Sequence, residues 1–150
     1  MRILVAFDGS DDGFEGLRIA ANMLHGGGQR HEIALVIIGW PPRRSPMWER
    51  AMELRAVVDD LHRAMAEVAA HELARLHDLF APLGSVSPHY AAGDPVSEVV
   101  ALVADFEPDV LIVGVTRGKG LDSVSAVTLA TVAHTSVPMF VAFGPGPERS

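Results

Sequence analysis

The chain of 150 residues contains no cysteine. Disulfides, thiolate metal sites and cysteine nucleophiles are therefore excluded, and nothing in the sequence requires an oxidising compartment. A long hydrophobic run is also missing at the start, where the apolar residues 3–7 are followed directly by Asp8. Because that run is too short for a signal peptide or a membrane span, we expect a cytoplasmic protein.

Positive charge is scarce as well. Twelve Lys and Arg residues stand against 19 Asp and Glu residues, which gives a formal net charge of −7 at pH 7. Nucleic acids and anionic lipids are also negative, so the sequence predicts neither as a general partner.

The length favours a single domain. We expect residues 1–143 to form it, because the apolar runs end there. Gly and Pro alternate at the start of residues 144–150, and this composition is typical of a flexible tail.

Short apolar runs alternate with longer segments of helical periodicity, a pattern typical of βαβ units around a parallel sheet. Five strands are predicted, at residues 2–7, 32–39, 85–90, 109–115 and 138–143. Four helices are predicted, at residues 12–24, 47–80, 96–106 and 123–134. The predicted fold class is therefore α/β: a doubly wound, Rossmann-like, open five-stranded parallel sheet with helices on both faces.

Four segments, in fixed order, carry a resemblance to a known family. They are Ile3–Ser10, Gly93–Pro95, Pro108–Gly114 and Val137–Val141. With this order and spacing the chain resembles the universal stress protein family. The fold implied by the resemblance is a five-stranded doubly wound sheet of the adenine nucleotide alpha hydrolase-like type, which agrees with the pattern of apolar runs.

The topology also predicts where a ligand would bind. In an open doubly wound sheet, ligands lie beyond the carboxyl ends of the strands, at the point where the strand order reverses. Asp8, Ile38 and Gly114 all fall at such predicted ends. We therefore expect these three residues to line one crevice.

The resemblance implies what that crevice holds. Family members that bind ATP place the Asp of strand one against the nucleoside and the end of strand two against adenine. They hold the phosphates with Gly, two residues, Gly, nine residues, and then Gly followed by Ser or Thr. The implied ligand is ATP or another adenine nucleotide with Mg²⁺. The implied contact residues are Ala6, Phe7, Asp8, Ile38, Gly114, Arg117, Gly118, Ser125, Ala126, Val127 and Thr128.

The sequence departs from that phosphate motif. Ser125 stands where the last glycine is expected, and Ala126 stands where the family has Ser or Thr. Asp122 adds negative charge close to the expected phosphates. Because a phosphate site depends on aligned N–H donors and a hydroxyl, a second reading stays open: a dimeric interaction protein that binds no nucleotide and has a degenerate phosphate loop.

Catalytic machinery is not evident in the sequence. There is no Gly-x-Ser-x-Gly segment, and no general base is visible where a reaction would need one. His62, His71 and His77 have spacings of nine and six, which do not place them on one helix face as metal ligands. We predict no catalytic residue and no metal site, with slow ATP hydrolysis or autophosphorylation as the weaker alternative.

The last predicted strand, Met139 to Phe143, is wholly apolar. The strand order of the family places it at a sheet edge, where a long apolar strand aggregates unless it is paired. Similar proteins form antiparallel dimers through this strand, so we expect a twofold homodimer. The sequence does not identify other protein partners.

Overall fold

Five strands and three helices are described in the computed structural model, which covers residues 1–7, 11–37, 67, 70–90, 95–114 and 135–142. The strands are β1 Arg2–Phe7, β2 His31–Ile37, β3 Gly84–Tyr90, β4 Val110–Gly114 and β5 Met139–Ala142. The helices are α1 Asp11–His25, α2 at residues 70–80 and α3 Pro95–Phe106. A short 3₁₀ helix, Ala81–Leu83, joins α2 to β3.

All five strands are parallel and form one sheet in the order β3-β2-β1-β4-β5. Strand β1 lies at the centre, between β2 and β4. The chain moves outward from β1 to β2 and β3, and then crosses back over the sheet to β4 and β5. The predicted α/β fold with a doubly wound parallel sheet is confirmed.

The alternation of side chains along the strands divides the core into two layers. On one face, α1 and α2 pack through Leu17 and Leu76 against the strand residues that include Ile3, Val5 and Phe7. On the other face, α3 packs through Val99 against residues that include Leu4. Because both faces are covered, residues 3–7 are completely buried, which explains why β1 is apolar without interruption.

Helix α1 ends close to its predicted limit. Acidic residues occupy its first turn and His25 its last, an arrangement that suits the helix dipole. The amide of Gly27 donates to the carbonyl of Leu24, and Gly28 has a φ of 69°. Glycine adopts this left-handed conformation without strain, so the glycine run terminates the helix.

The start of β4 was predicted one residue too early. Asp109 forms a bend rather than part of the strand. Its carboxylate accepts a hydrogen bond from the Arg2 amide at 2.8 Å, and its own amide donates to the Arg2 carbonyl at 2.7 Å. The polar side chain therefore turns back to the start of β1, where it is exposed, and the buried strand begins at Val110.

Several predicted features lie outside the described residues. They are the strand residues 38–39, 115 and 143, helix residues 47–66 and 68–69, the helix at 123–134, and the tail at 144–150. Within the described part of the chain, none of the helices has the length and apolar character needed to cross a membrane.

The packing of α2 can be tested with two leucines on the same helix. Leu76 is fully buried, whereas Leu79 is partly exposed. We expect Leu76→Ala to lower the free energy of unfolding by about 2–5 kcal/mol, because it leaves a cavity. Leu79→Ala should cost clearly less. Denaturant unfolding at one fixed protein concentration measures both, and equal losses would contradict the placement of α2 on the sheet.

Candidate functional site

The carboxyl ends of the central strands lie in one row. Phe7 pairs with Ile37 on one side and with Gly114 on the other. The row continues to Tyr90 at one edge and to Ala142 at the other. The strand order reverses between β1 and β4, since β1 continues to β2 whereas β4 is reached from the far edge through α3. A crevice for a ligand is expected at this position in an open parallel sheet.

Two residues predicted to contact a nucleotide have core side chains. Ala6 and Phe7 are both completely buried, and they face opposite layers of the core. The ring of Phe7 packs edge-on against Phe14, with a centroid separation of 6.3 Å. Any contact of Ala6 or Phe7 with a ligand would therefore use backbone groups at the end of β1.

Gly114, the third described residue of the predicted site, is also a packing residue. A Cβ atom at this position would lie 2.5 Å from Cγ of Leu17 and 2.9 Å from the carbonyl oxygen of Gly13. Both atoms belong to α1, whose buried Gly13 and Gly16 let the helix approach the sheet. The first turns of α1 and the end of β4 can be this close only because residue 114 has no side chain.

The charge next to this contact is negative. Asp11 and Asp12 occupy the first turn of α1, which begins four residues after β1 ends. They stabilise the helix terminus, because acidic side chains interact favourably with the amino end of a helix. They also place negative charge near the crevice, so a bound phosphate would need positive charge from elsewhere.

The other predicted site residues lie outside the described part of the chain. Asp8 and Ile38 follow directly on Phe7 and Ile37, the last residues of two neighbouring strands. The remaining ones are Arg117, Gly118, Ser125, Ala126, Val127 and Thr128. Of the predicted set, the structure therefore brings together Ala6, Phe7 and Gly114. Within the described ranges, no group of three His, Asp or Glu side chains could hold a metal ion.

A second concave surface was not predicted from the sequence. It lies beside α1 on the face of the sheet that this helix covers, and it has a volume of about 620 Å³. We call it the α1–β5 groove; it is lined chiefly by Gly16, Ile19, Ala20, Met23, Phe140 and Ala142. A signal was present, since Ile19 and Met23 are four residues apart and share a helix face. That spacing is equally typical of a core-facing stripe, so the sequence alone did not distinguish the two.

Residues 1–142 match the Universal stress protein family. No curated protein sequence matches the chain significantly.

Solved structures share the fold. Universal stress protein UspA from Lactobacillus plantarum is 19% identical, with 95% of this chain and 97% of that chain covered and a TM-score of 0.69. A family protein from Arabidopsis thaliana with AMP bound is 18% identical, with coverage of 94% and 90% and a TM-score of 0.65. The protein from Archaeoglobus fulgidus in complex with dAMP is 15% identical, with coverage of 95% and 97% and a TM-score of 0.58.

The packing role of Gly114 predicts the outcome of a matched pair of substitutions. Gly114→Ala should lower the free energy of unfolding by about 1–3 kcal/mol, because the new methyl group overlaps α1. Gly26→Ala is the control, since a Cβ there would meet its nearest neighbour at 3.6 Å. It should change stability by less than about 1 kcal/mol in either direction. Denaturant unfolding measures both, and a neutral Gly114→Ala would contradict the close approach of α1.

Proposed function

Because the chain belongs to the universal stress protein family, we propose that it is a regulatory protein that binds ATP or another adenine nucleotide with little turnover. The observation that carries this proposal is the single row formed by Phe7, Ile37 and Gly114 at the point of strand reversal. Relatives with the same fold have been crystallised with AMP and dAMP. The same class of ligand is proposed for this crevice.

The roles of individual residues follow the family pattern. Asp8 would accept a hydrogen bond from the ribose, and Ile38 would contact adenine. Arg117 would offset the negative charge of the phosphates and of a nearby Asp122. The segment from Gly118 to Thr128 would provide amide and hydroxyl groups for the phosphates with Mg²⁺. Regulation through a bound nucleotide needs no catalytic base, and a cysteine-free chain suits the reducing cytoplasm.

Nucleotide binding is tested by calorimetry with ATP, ADP and AMP in the presence of Mg²⁺. The unaltered protein should give a saturable signal, and Asp8→Ala should weaken binding by about tenfold or more, because a hydrogen bond to a charged group is lost. Asp105→Ala is the control: it removes the same charge from the exposed carboxyl end of α3, which leads into the start of β4 and therefore lies at the amino ends of the strands, away from the crevice. Absence of heat up to millimolar nucleotide would refute the proposal.

A second candidate function is a dimeric interaction protein that binds no nucleotide. Two observations favour it. Packing against α1 alone is sufficient to require glycine at position 114, and large apolar side chains are exposed around the α1–β5 groove. Native mass spectrometry of the freshly purified protein separates the two candidates, because a co-purified nucleotide adds its mass to that of the protein.

For either candidate we propose a homodimer formed through β5. The two edges of the sheet differ in how they are protected. Strand β3 carries Pro88, which lacks an N–H donor and is typical of an unpaired edge. Residues 135–142 contain no charged side chain, and Phe140 in β5 is 63% exposed. An apolar edge without charges or an internal proline favours pairing with another strand.

The choice of edge is tested by introducing the same charge on each. Phe140→Asp should convert the dimer to a monomer at micromolar concentration, because two carboxylates would face each other across the twofold axis. Ser87→Asp on β3 should leave the dimer intact. Light scattering on both variants reads out the mass. A monomeric unaltered protein, or a dimer that tolerates Phe140→Asp, would rule out this interface.

A further inference from the structure

The α1–β5 groove leaves an unusual amount of apolar surface in solvent. Met23 is 76% exposed and Ile19 is 40% exposed, and both line the groove together with Phe140, which is 63% exposed. The groove lining contains no charged side chain among the described residues. Contiguous exposed apolar surface of this kind marks an interaction site. A partner could cover it without burying an unpaired charged side chain from this chain.

The backbone of β5 restricts how a second strand can pair with it. The amide of Leu111 in β4 donates to the carbonyl of Pro138, so the backbone of residue 138 points toward β4. The N–H and C=O groups of successive residues in a strand point alternately to its two sides. The backbone groups of Phe140 therefore also point toward β4, whereas those of Met139 and Val141 point to the outer edge. Val137 lies in a bend, so the straight edge begins at Met139.

If β5 of two copies pairs antiparallel about a twofold axis and both Met139 and Val141 form hydrogen bonds across it, only one register is possible. Met139 then lies opposite Val141 of the second copy, and each such pair exchanges two hydrogen bonds. Phe140 lies on the axis, opposite Phe140 of the second copy, in the narrow non-hydrogen-bonded position. Both rings lie on the face of the sheet that α1 covers, because Phe140 pairs with Ile112, which packs in the α1 layer.

This register also brings α1 of each copy into the interface. Helix α1 lies against β4 and β5. Across the axis, β4 of one copy is three strand spacings, or about 14 Å, from β4 of the other. A helix with its side chains is about 10 Å across, so the two α1 helices face each other over a narrow gap. Phe140 of one copy then lies within reach of Ile19 and Met23 of the other.

A stable dimer needs a larger interface than β5 alone provides. A stable interface usually buries about 800 Å² on each partner, from 20 to 30 residues. The four residues of β5 cannot supply that area alone. The groove adds surface that is continuous with β5, because Phe140 and Ala142 belong to both.

We propose that the α1–β5 groove is closed by a second copy of this chain, with Phe140 of each copy packed against Ile19 and Met23 of the other. The inference rests on the proposed dimer through β5 and extends it to α1 and to a single register. The groove is thus part of the dimer interface and not a site for a small ligand.

The contribution of α1 is tested at neighbouring positions. Met23→Asp should raise the dimer dissociation constant about tenfold or more, because a carboxylate would enter the apolar contact. Asn22→Asp, one residue earlier and also exposed, adds the same charge outside the groove lining and should have little effect. Sedimentation equilibrium measures both constants, and thermal unfolding verifies that both variants are folded.

The outcomes separate the two levels of the proposal. If Phe140→Asp dissociates the dimer but Met23→Asp behaves like Asn22→Asp, the β5 interface stands and the inference about α1 is overturned. If the unaltered protein is a monomer, the dimer itself fails, and the closure of the groove fails with it.

The register is tested with cysteines, because the natural chain has none. Under mild oxidation, Phe140→Cys should form a disulfide-linked dimer, since opposite residues in the narrow position have Cα atoms about 4.5 Å apart. Val141→Cys alone should link poorly, because residue 141 of the second copy lies diagonally across the strand pair, at about 7–8 Å. A mixture of Met139→Cys and Val141→Cys proteins, which keep Phe140, should link to each other. Faster linking of Val141→Cys alone would overturn the register.

Discussion

The structure depends on the complete burial of β1. This strand is hydrogen-bonded on both sides and covered on both faces, so residues 3–7 have no contact with solvent. A strand in this position cannot carry a polar side chain without the cost of burying it. The first acidic residue after it is Asp8, directly beyond the end of the strand. The same constraint that makes β1 apolar thus determines how early in the sequence an acidic residue can follow the strand.

The sequence predicted the fold well because the strongest signals came from this buried layer. The bounds of β1 are confirmed, and the predicted ends of α1 and α3 are within one residue of those observed. The start of β3 at Gly84 and the start of β5 at Met139 are each one residue from the prediction. Two other deviations occur where a polar residue behaves unlike its type. His31 is buried although it is polar, so β2 starts earlier than predicted. Asp109 hydrogen-bonds back to Arg2, so β4 starts later.

The sites were less predictable than the fold. The order of the strands already implied that the ends of β1, β2 and β4 meet, and the row through Phe7 confirms that arrangement. The buried side chains of Ala6 and Phe7 could not be assigned to opposite core layers without the sheet. The α1–β5 groove was missed because exposure of Ile19 and Met23 depends on what lies across from the helix, and helical spacing carries no information about that.

Glycine at position 114 illustrates why a family motif alone is weak evidence of a ligand. The position is one that family members use near phosphate, yet here the approach of Leu17 and Gly13 already excludes any side chain. Ligand binding and packing against α1 can each require glycine at this position, so the glycine alone does not show which requirement applies. A hydroxyl group or a positive charge that contacts a bound phosphate would be better evidence of a nucleotide site, because core packing does not require either group.

Helix α1 connects the two surfaces of the molecule. Its first turns contact the end of β4 beside the crevice, and its second half forms one wall of the groove. Leu17 in the first region and Ala21 in the second are both buried in the core, so the helix is held along its length. Coupling between distant sites requires an element with two arrangements, and a helix packed this closely behaves as a fixed wall. Ligand binding and dimer formation are therefore expected to respond to separate substitutions in this helix.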